Sequence, residues 1–241
     1  MRRRFFVDQV RNGRAEISGD DAQHLTRVLR VESGQRYEIS DNHNVYLAEI
    51  EIARKSEVIF RTLERLALPA PEPKIVLAAA LIKFDRFEWM IEKATELGVD
   101  VILPFEAMRS ERGLDRAAHK RVERWRRIAV EASQQSRRAF LPNIEETVSF
   151  DEALRTTVDY RYVLDENPAA TPLSRTLPDS LSASDTIAIL IGPEGGWTDQ
   201  ERDRFAPAAW TAVSLGSRIL RAETAALAAL AILRTRSKME T

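Results

Sequence analysis

Cysteine is absent from all 241 residues, which excludes both a disulfide framework and a thiolate zinc site. Histidine is scarce: His24, His43 and His119 are too widely separated for metal-ligand spacing, and no metal is expected. Long apolar runs are missing as well. The longest near the C-terminus, Thr224 to Leu233, falls short of the roughly 20 residues that a helical membrane span needs. Behind Met1-Arg2-Arg3-Arg4-Phe5-Phe6 there is no apolar segment, so no signal peptide is expected. A cytoplasmic protein with no membrane partner follows as the default. What remains is the composition of a soluble globular chain, 44% apolar and 30% charged, long enough for one large domain or two small ones.

Net charge is also nearly missing, at -1, but its layout is uneven. Between Arg109 and Arg138 ten Lys/Arg face four acids, a local excess of about six positive charges. Whole-chain neutrality with a basic segment permits nucleic-acid binding on one face. A solvated helix face with ion pairs is the competing reading.

The stretch from Thr186 to Leu233 contains two strand–loop–helix passages in succession. Ile187 to Ile191 is apolar and breaks at Gly192-Pro193-Glu194-Gly195-Gly196; Thr211 to Leu215 breaks at Gly216-Ser217-Arg218. Short apolar runs ending in glycine read as buried strands of a parallel sheet. Glycine just past a strand lets main-chain groups approach a ligand with no Cβ in the way. The first loop lacks the Gly-Lys-Ser/Thr ending of a P-loop, and its glycine spacing does not fit the dinucleotide fingerprint. Glu194 would repel a pyrophosphate, so the pocket suits a neutral or cationic ligand. Thr198-Asp199-Gln200-Glu201 fits a capping box that starts the next helix. Ordinary turn glycines are the alternative.

Along the chain, residues 1–68 read as a small β-rich unit: Phe5–Val7, Arg14–Ile17, Arg36–Ile39, Val45–Ile50 and Val58–Phe60, with one helix over Ala22–Arg30. Such a set suggests a small barrel, and Arg2, Arg3, Arg4, Arg27 and Arg30 are candidate phosphate contacts. Alternate prolines in Pro69-Ala70-Pro71-Glu72-Pro73 mark residues 69–73 as an extended linker. From Lys74 to Thr241 strands and helices alternate. Strands are expected at Ile75–Ile82, Val101–Pro104 and Tyr160–Leu164, and helices at Phe84–Gly98, Ala117–Ser136, Phe150–Thr156 and Ala222–Arg236. The last is apolar over most of its circumference, so the sheet or a second subunit must cover it. Repeated β–α units indicate an α/β domain with a mainly parallel sheet, whose ligands bind at the carboxyl ends of the strands. Both glycine loops and Asp165-Glu166 lie at that edge.

Taken together, Ile191-Gly192-Pro193-Glu194-Gly195-Gly196-Trp197 and Leu215-Gly216-Ser217-Arg218-Ile219-Leu220-Arg221-Ala222-Glu223-Thr224-Ala225 resemble the signature pair of the RsmE family. These are SPOUT-class methyltransferases that act on N3 of a uridine in 16S ribosomal RNA. The similarity extends through Arg3-Arg4-Phe5-Phe6, His24-Leu25 with Val28-Leu29-Arg30, Lys93-Ala94-Thr95-Glu96-Leu97-Gly98, and Glu131-Ala132 with Gln135-Ser136 and Arg138. Trp197 stands where the family often has another bulky apolar residue.

The resemblance implies a PUA-like RNA-binding barrel at the N-terminus and a SPOUT domain with a C-terminal trefoil knot, an exception to the rule that chains do not thread loops. It further implies S-adenosylmethionine as cofactor, a homodimer, and 16S ribosomal RNA as partner, within the small ribosomal subunit. The cofactor would rest on Leu164, Ile191, Gly192, Gly196, Leu215, Gly216, Ile219, Leu220 and Ala225. Uracil N3 must lose a proton before it attacks, so the site needs a proton acceptor and a cation for the charge spread over O2 and O4. Arg221 is the candidate cation. Glu223 is the candidate base or orienter, with Glu194 behind it, although a first-turn acid also favours the helix dipole. Arg124, Arg127 and Arg138 join Arg3, Arg4, Arg27 and Arg30 as candidate RNA contacts. Another RNA target, such as transfer RNA, and an inert RNA-binding protein of the same fold are the alternatives.

Overall fold

A computed structural model describes residues 3–167 and 169–236 of the chain; Arg2 lies outside them. Two compact units result: Met1–Ala70 with Val130–Leu141, and Pro71–Ala129 with Pro142–Thr241.

In the first unit β1 (Arg4–Phe6), β2 (Arg14–Ser18), α1 (Gly19–Arg27), β3 (Arg36–Ser40), β4 (Val45–Arg54) and β5 (Glu57–Leu66) follow in order. They form a five-stranded sheet ordered β1-β3-β4-β5-β2, antiparallel except for β1 on β3. Period-2 alternation decides which side chains point inward: Ala15 and Ile17 of β2 are buried, while Arg14 and Glu16 are exposed. With Phe5, Ile39, Ile50, Val58 and Phe60, and with Ala22 and Leu25 of α1, they form one core. This is the expected β-rich unit with one helix. Strands β4 and β5 run further than their apolar pieces, because cross-strand ion pairs occupy the outer face: Arg36–Glu49 at 3.2 Å, Arg61–Glu49 at 3.0 Å and Arg14–Glu51 at 2.9 Å. The stretch Val130–Leu141 is held to this unit by main-chain acceptors. Ser40 Oγ donates to the Ala139 carbonyl and Arg4 Nη1 to the Arg137 carbonyl, both at 2.7 Å.

The second unit begins with β6 (Lys74–Ala80), α2 (Phe84–Glu96), β7 (Val101–Glu106), α3 (Leu114–Ala118) and the first half of α4 (Val122–Ser136), whose residues from Val130 onward belong to the first unit. Next come β8 (Asn143–Ile144), β9 (Val148–Ser149), α5 (Phe150–Leu154), β10 (Tyr160–Leu164), β11 (Thr171–Pro172) and α6 (Leu173–Thr176). The chain ends with β12 (Thr186–Ile191), α7 (Asp199–Phe205), β13 (Thr211–Ser214) and α8 (Ala222–Arg236). All strand pairs are parallel, in the order β11-β13-β10-β12-β6-β7-β8, with β9 also on β7. Both faces are covered, which is why the central strands read as continuous apolar runs rather than alternating ones. Ile187, Ile189 and Ile191 of β12 pack with α2, α4 and α8; Ala188 and Leu190 pack with α5 and α7.

The expected basic helix over Ala117–Ser136 is two helices, α3 and α4, parted by a turn at residues 119–121. Ala118, Val122, Trp125 and Ala129 are all buried across the break. The apolar spacing runs through the turn unchanged, so periodicity alone does not reveal it. Helix α8 buries Ala226, Ala229, Leu230 and Leu233 and packs against α2. Among the described residues no helix is long and apolar enough to cross a membrane.

Candidate active site

Strand β10 lies between β12 and β13, so three loops leave adjacent carboxyl ends of the sheet: residues 165–170, 192–198 and 215–221. Between them is a cavity of about 470 Å³. From the strand ends come Leu164 and Ile191; from the first glycine loop Gly192, Pro193, Glu194, Gly196 and Trp197. The second glycine loop supplies Leu215 through Arg221, and α8 supplies Ala222 and Ala225. All nine residues expected to rest against a cofactor are thus brought together, along with Arg221 and Glu194. Pro193, Ser217 and Arg218 come to the wall with the two glycine loops, and Asp165 and Glu166 lie beside Leu164 at the same edge; Arg86 of α2 and Trp197 are the additions that no expectation placed there.

The first glycine loop is tied down at several points. Trp197 is buried; its ring lies parallel to Phe105 and its Nε1–H donates to the Leu164 carbonyl at 2.8 Å. A Cβ on Gly192 would lie 2.8 Å from that indole, so only glycine lets the ring close over the loop. Gly196 has φ +67, and a Cβ there would lie 3.0 Å from Glu166 Oε1 at the cavity wall. Arg109 Nη1 donates to the Gly195 carbonyl at 2.9 Å. Arg202 of α7 donates to the Trp197 carbonyl at 2.9 Å and grips Asp165 with two bonds of 3.1 Å. The hydrogen bond to the Asp165 carboxylate raises the pKa of the Arg202 guanidinium further. The capping box expected at Thr198 is present: Glu201 Oε2 accepts from Thr198 N–H at 2.8 Å and Thr198 Oγ1 accepts from Glu201 N–H at 3.2 Å. Glu201 is also buried and accepts from Met108 N–H at 2.9 Å.

The second loop is bare by contrast. No side chain from residues 215–221 makes a hydrogen bond or ion pair among the described residues, and Ile219 is 82% exposed. Arg218 and Arg221 therefore line the cavity as unpaired cations. Glu223 is placed differently from the expectation of a residue in the cavity. It is buried in the first turn of α8, between the lining residues Ala222 and Ala225, but is not itself in the lining. Its Oε2 has no hydrogen-bond partner among the described residues. Such a buried acceptor is unsatisfied and costs stability unless something else uses it. Glu194 forms an ion pair with Arg86 across the cavity rim.

A family model described as an RNA methyltransferase domain matches residues 69–234, and one described as an RNA methyltransferase PUA domain matches residues 17–63. Ribosomal RNA small subunit methyltransferase E of Bacillus subtilis is 33% identical, with 94% of each chain covered. The chain belongs to the RsmE family, ribosomal RNA small subunit methyltransferase E. A solved family member from Neisseria gonorrhoeae, bound to S-adenosyl methionine, superposes with a TM-score of 0.87 at 29% identity, covering 98% of each chain. A Legionella pneumophila protein in complex with SAM gives 0.88 at 30% identity, also covering 98% of each.

For an RsmE-family chain the arginines sort into two groups. Arg3, Arg27, Arg30 and Arg127 are exposed and have no ion pair among the described residues. The others are engaged: Arg4 with Glu38 at 2.7 Å, Arg124 with Glu88 at 2.9 Å, and Arg138 with the Phe140 carbonyl at 3.1 Å. Sequence reading gave Arg86 no role, counted Arg109 only within the basic segment, and gave Arg202 no role. Their partners are 108, 86 and 37 residues away, and two of the three arginines bond to carbonyl oxygens that any residue could provide.

Proposed function

We propose that this chain is an S-adenosylmethionine-dependent methyltransferase that modifies N3 of a uridine in 16S ribosomal RNA of the small subunit. The observation that carries the reading is the cavity between the glycine loops, apolar at the strand ends and cationic at the second loop. Its volume lies in the range of about 300–1,000 Å³ usual for small-molecule sites. The chemistry of its wall fits the group: Gly192 and Gly196 bring main chain into the lining, and nothing in the lining resembles a triphosphate cradle. Membership of the family and the bound cofactor of two solved relatives support the same assignment.

Leu164, Ile191, Leu215, Ile219, Leu220 and Ala225 would wall the adenine, with Gly192, Gly196 and Gly216 presenting main chain. When bound, the cofactor supplies an electrophilic methyl group on a sulfonium sulfur. The protein's main contribution is then orientation, since positioning two reactants removes much of the barrier. Arg221 holds the anionic uracil at O2 or O4. Glu223 receives the N3 proton or orients the group that does, since its Oε2 has an open acceptor position one residue from the wall. Glu194 is the weaker choice for that proton, because Arg86 already neutralises it.

The residues 1–68 unit would hold the surrounding RNA, residues 69–73 would link it, and residues 74–241 would form the knotted methyltransferase domain. Arg3, Arg27, Arg30 and Arg127 are the phosphate contacts of first choice; Arg4, Arg124 and Arg138 would first have to leave present partners. A cytoplasmic homodimer acting on ribosomal RNA or the small subunit completes the proposal. Nucleoside analysis of small-subunit RNA from a deletion strain should reveal loss of 3-methyluridine. The wild-type gene should restore it, and primer extension should again stop at one site. An unchanged 3-methyluridine level in the deletion strain would end this reading.

A further inference from the structure

Six charged residues line the cavity: Arg86, Asp165, Glu166, Glu194, Arg218 and Arg221. Asp165 is already held by the two bonds from Arg202. Arg218 and Arg221 have no ion pair among the described residues. Arg86 and Glu194 differ from all of these, as the one ion pair among the described residues with both members in the cavity wall. Their side chains are 32% and 39% exposed. A pair this wet is held weakly, so both charges are available to other partners.

Side by side, one guanidinium and one carboxylate are the complement of an α-amino acid, which carries a carboxylate and an ammonium on a single carbon. We propose that Arg86 and Glu194 form the receptor for the amino-acid end of the donor, Arg86 taking its carboxylate and Glu194 its ammonium. The assignment rests on the reading of the cavity as the donor site. On binding, the pair opens and each side chain exchanges its protein partner for a ligand charge of the same sign. One ion pair within the protein gives way to two with the ligand, and guanidinium–carboxylate bonding adds direction. The apolar strand ends receive the base, so the two ends of the ligand are read by different chemistry. Glu194 then serves recognition, not proton transfer.

Calorimetry on the full chain tests this with two ligands that share the nucleoside: S-adenosylhomocysteine, which has the amino-acid end, and 5′-methylthioadenosine, which lacks it. Wild type should prefer S-adenosylhomocysteine. Arg86→Ala and Glu194→Gln should each cut that preference about tenfold, the effect of one charge-assisted bond. Affinity for 5′-methylthioadenosine should stay within about twofold, which also shows that the cavity is intact. An unchanged preference in both variants overturns the inference, even if RNA affinity falls, since Arg86 would then serve a phosphate. Equal weakening of both ligands overturns it too, because the residues would then shape the cavity without reading the tail. Wild type that binds neither ligand refutes the donor reading itself, and this inference with it.

Discussion

The loops after β12 and β13 flank the same strand, border the same cavity and both open on or just after a glycine, yet the protein holds them in opposite ways. Residues 192–198 are tied by the Trp197 indole, two arginines and a capping box, and little of that loop can shift without breaking a buried bond. Residues 215–221 have no side-chain tether among the described residues, and both arginines and Ile219 are exposed. A wall with its shape settled beforehand costs nothing to organise when a ligand arrives, which is where preorganisation contributes most. A loop with unspent charge and apolar surface suits contacts that a substrate completes. On this view the first loop is scaffold and the second is the working edge.

If that division is right, substitutions in the first loop's supports should unfold the domain, and substitutions in the second should leave stability alone. The largest loss is expected for Trp197→Ala. Truncating a buried tryptophan typically costs about 3–5 kcal/mol, and here the Leu164 carbonyl also loses its donor. Urea unfolding should show it, together with loss of cofactor affinity. Arg202→Ala comes next. It leaves Asp165 buried without its partner, and because the arginine side chain is 30% exposed we expect about 2–3 kcal/mol, below the cost for a fully buried pair. Arg202→Lys should recover only part, since a lysine cannot make two parallel bonds to Asp165 and a third to the Trp197 carbonyl. A wild-type urea midpoint in both variants would remove the basis for calling this loop braced.

The same contrast explains what the sequence could disclose. Buried parallel strands are apolar throughout, so Ile187–Ile191 and the glycines after it were plain to read, as was the capping box at Thr198, whose two partners lie three residues apart. The braces were not, because Arg109 and Arg202 act through carbonyls that have no side-chain signature. Asp165 and Glu166 look alike in sequence, yet one is buried against Arg202 and the other is exposed at the cavity. Only the turn after β10 decides which is which. Glu223 reads from sequence as a candidate base or orienter, or as a first-turn acid that favours the helix dipole, but its burial depends on how α8 packs, and that is a tertiary fact. The outer halves of β4 and β5 were hidden for a simpler reason: their exposed faces bear Arg and Glu, which carry no strand signal on their own.

Arg221→Ala should separate stability from activity. With no partner to lose, it should stay within about 0.5 kcal/mol of wild type in urea. Methyl transfer to ribosomal RNA should fall about 10²–10³-fold if the guanidinium stabilises charge on the uracil. Cofactor affinity measured without RNA should barely change. A matching fall in cofactor affinity would instead move Arg221 into the cofactor's own binding set.

Ile219→Ser is the smallest and sharpest of these changes. An isoleucine that is 82% exposed buries almost nothing within its own chain, so polar replacement should alter unfolding by less than about 0.5 kcal/mol. That expectation holds at any protein concentration if the loop faces solvent until RNA arrives. In a homodimer whose second copy covers the loop, the isoleucine would be buried by the partner and the stability loss would be largest at high concentration and shrink on dilution, because anything bound only to the folded state stabilises it by mass action. Unfolding midpoints of wild type and variant over a hundredfold range of protein concentration, about three doublings in each decade, distinguish the two. A concentration-independent match assigns the bare loop to the substrate. A gap that is open at high concentration and closes on dilution assigns it to the partner, and the working edge would then be built from two chains.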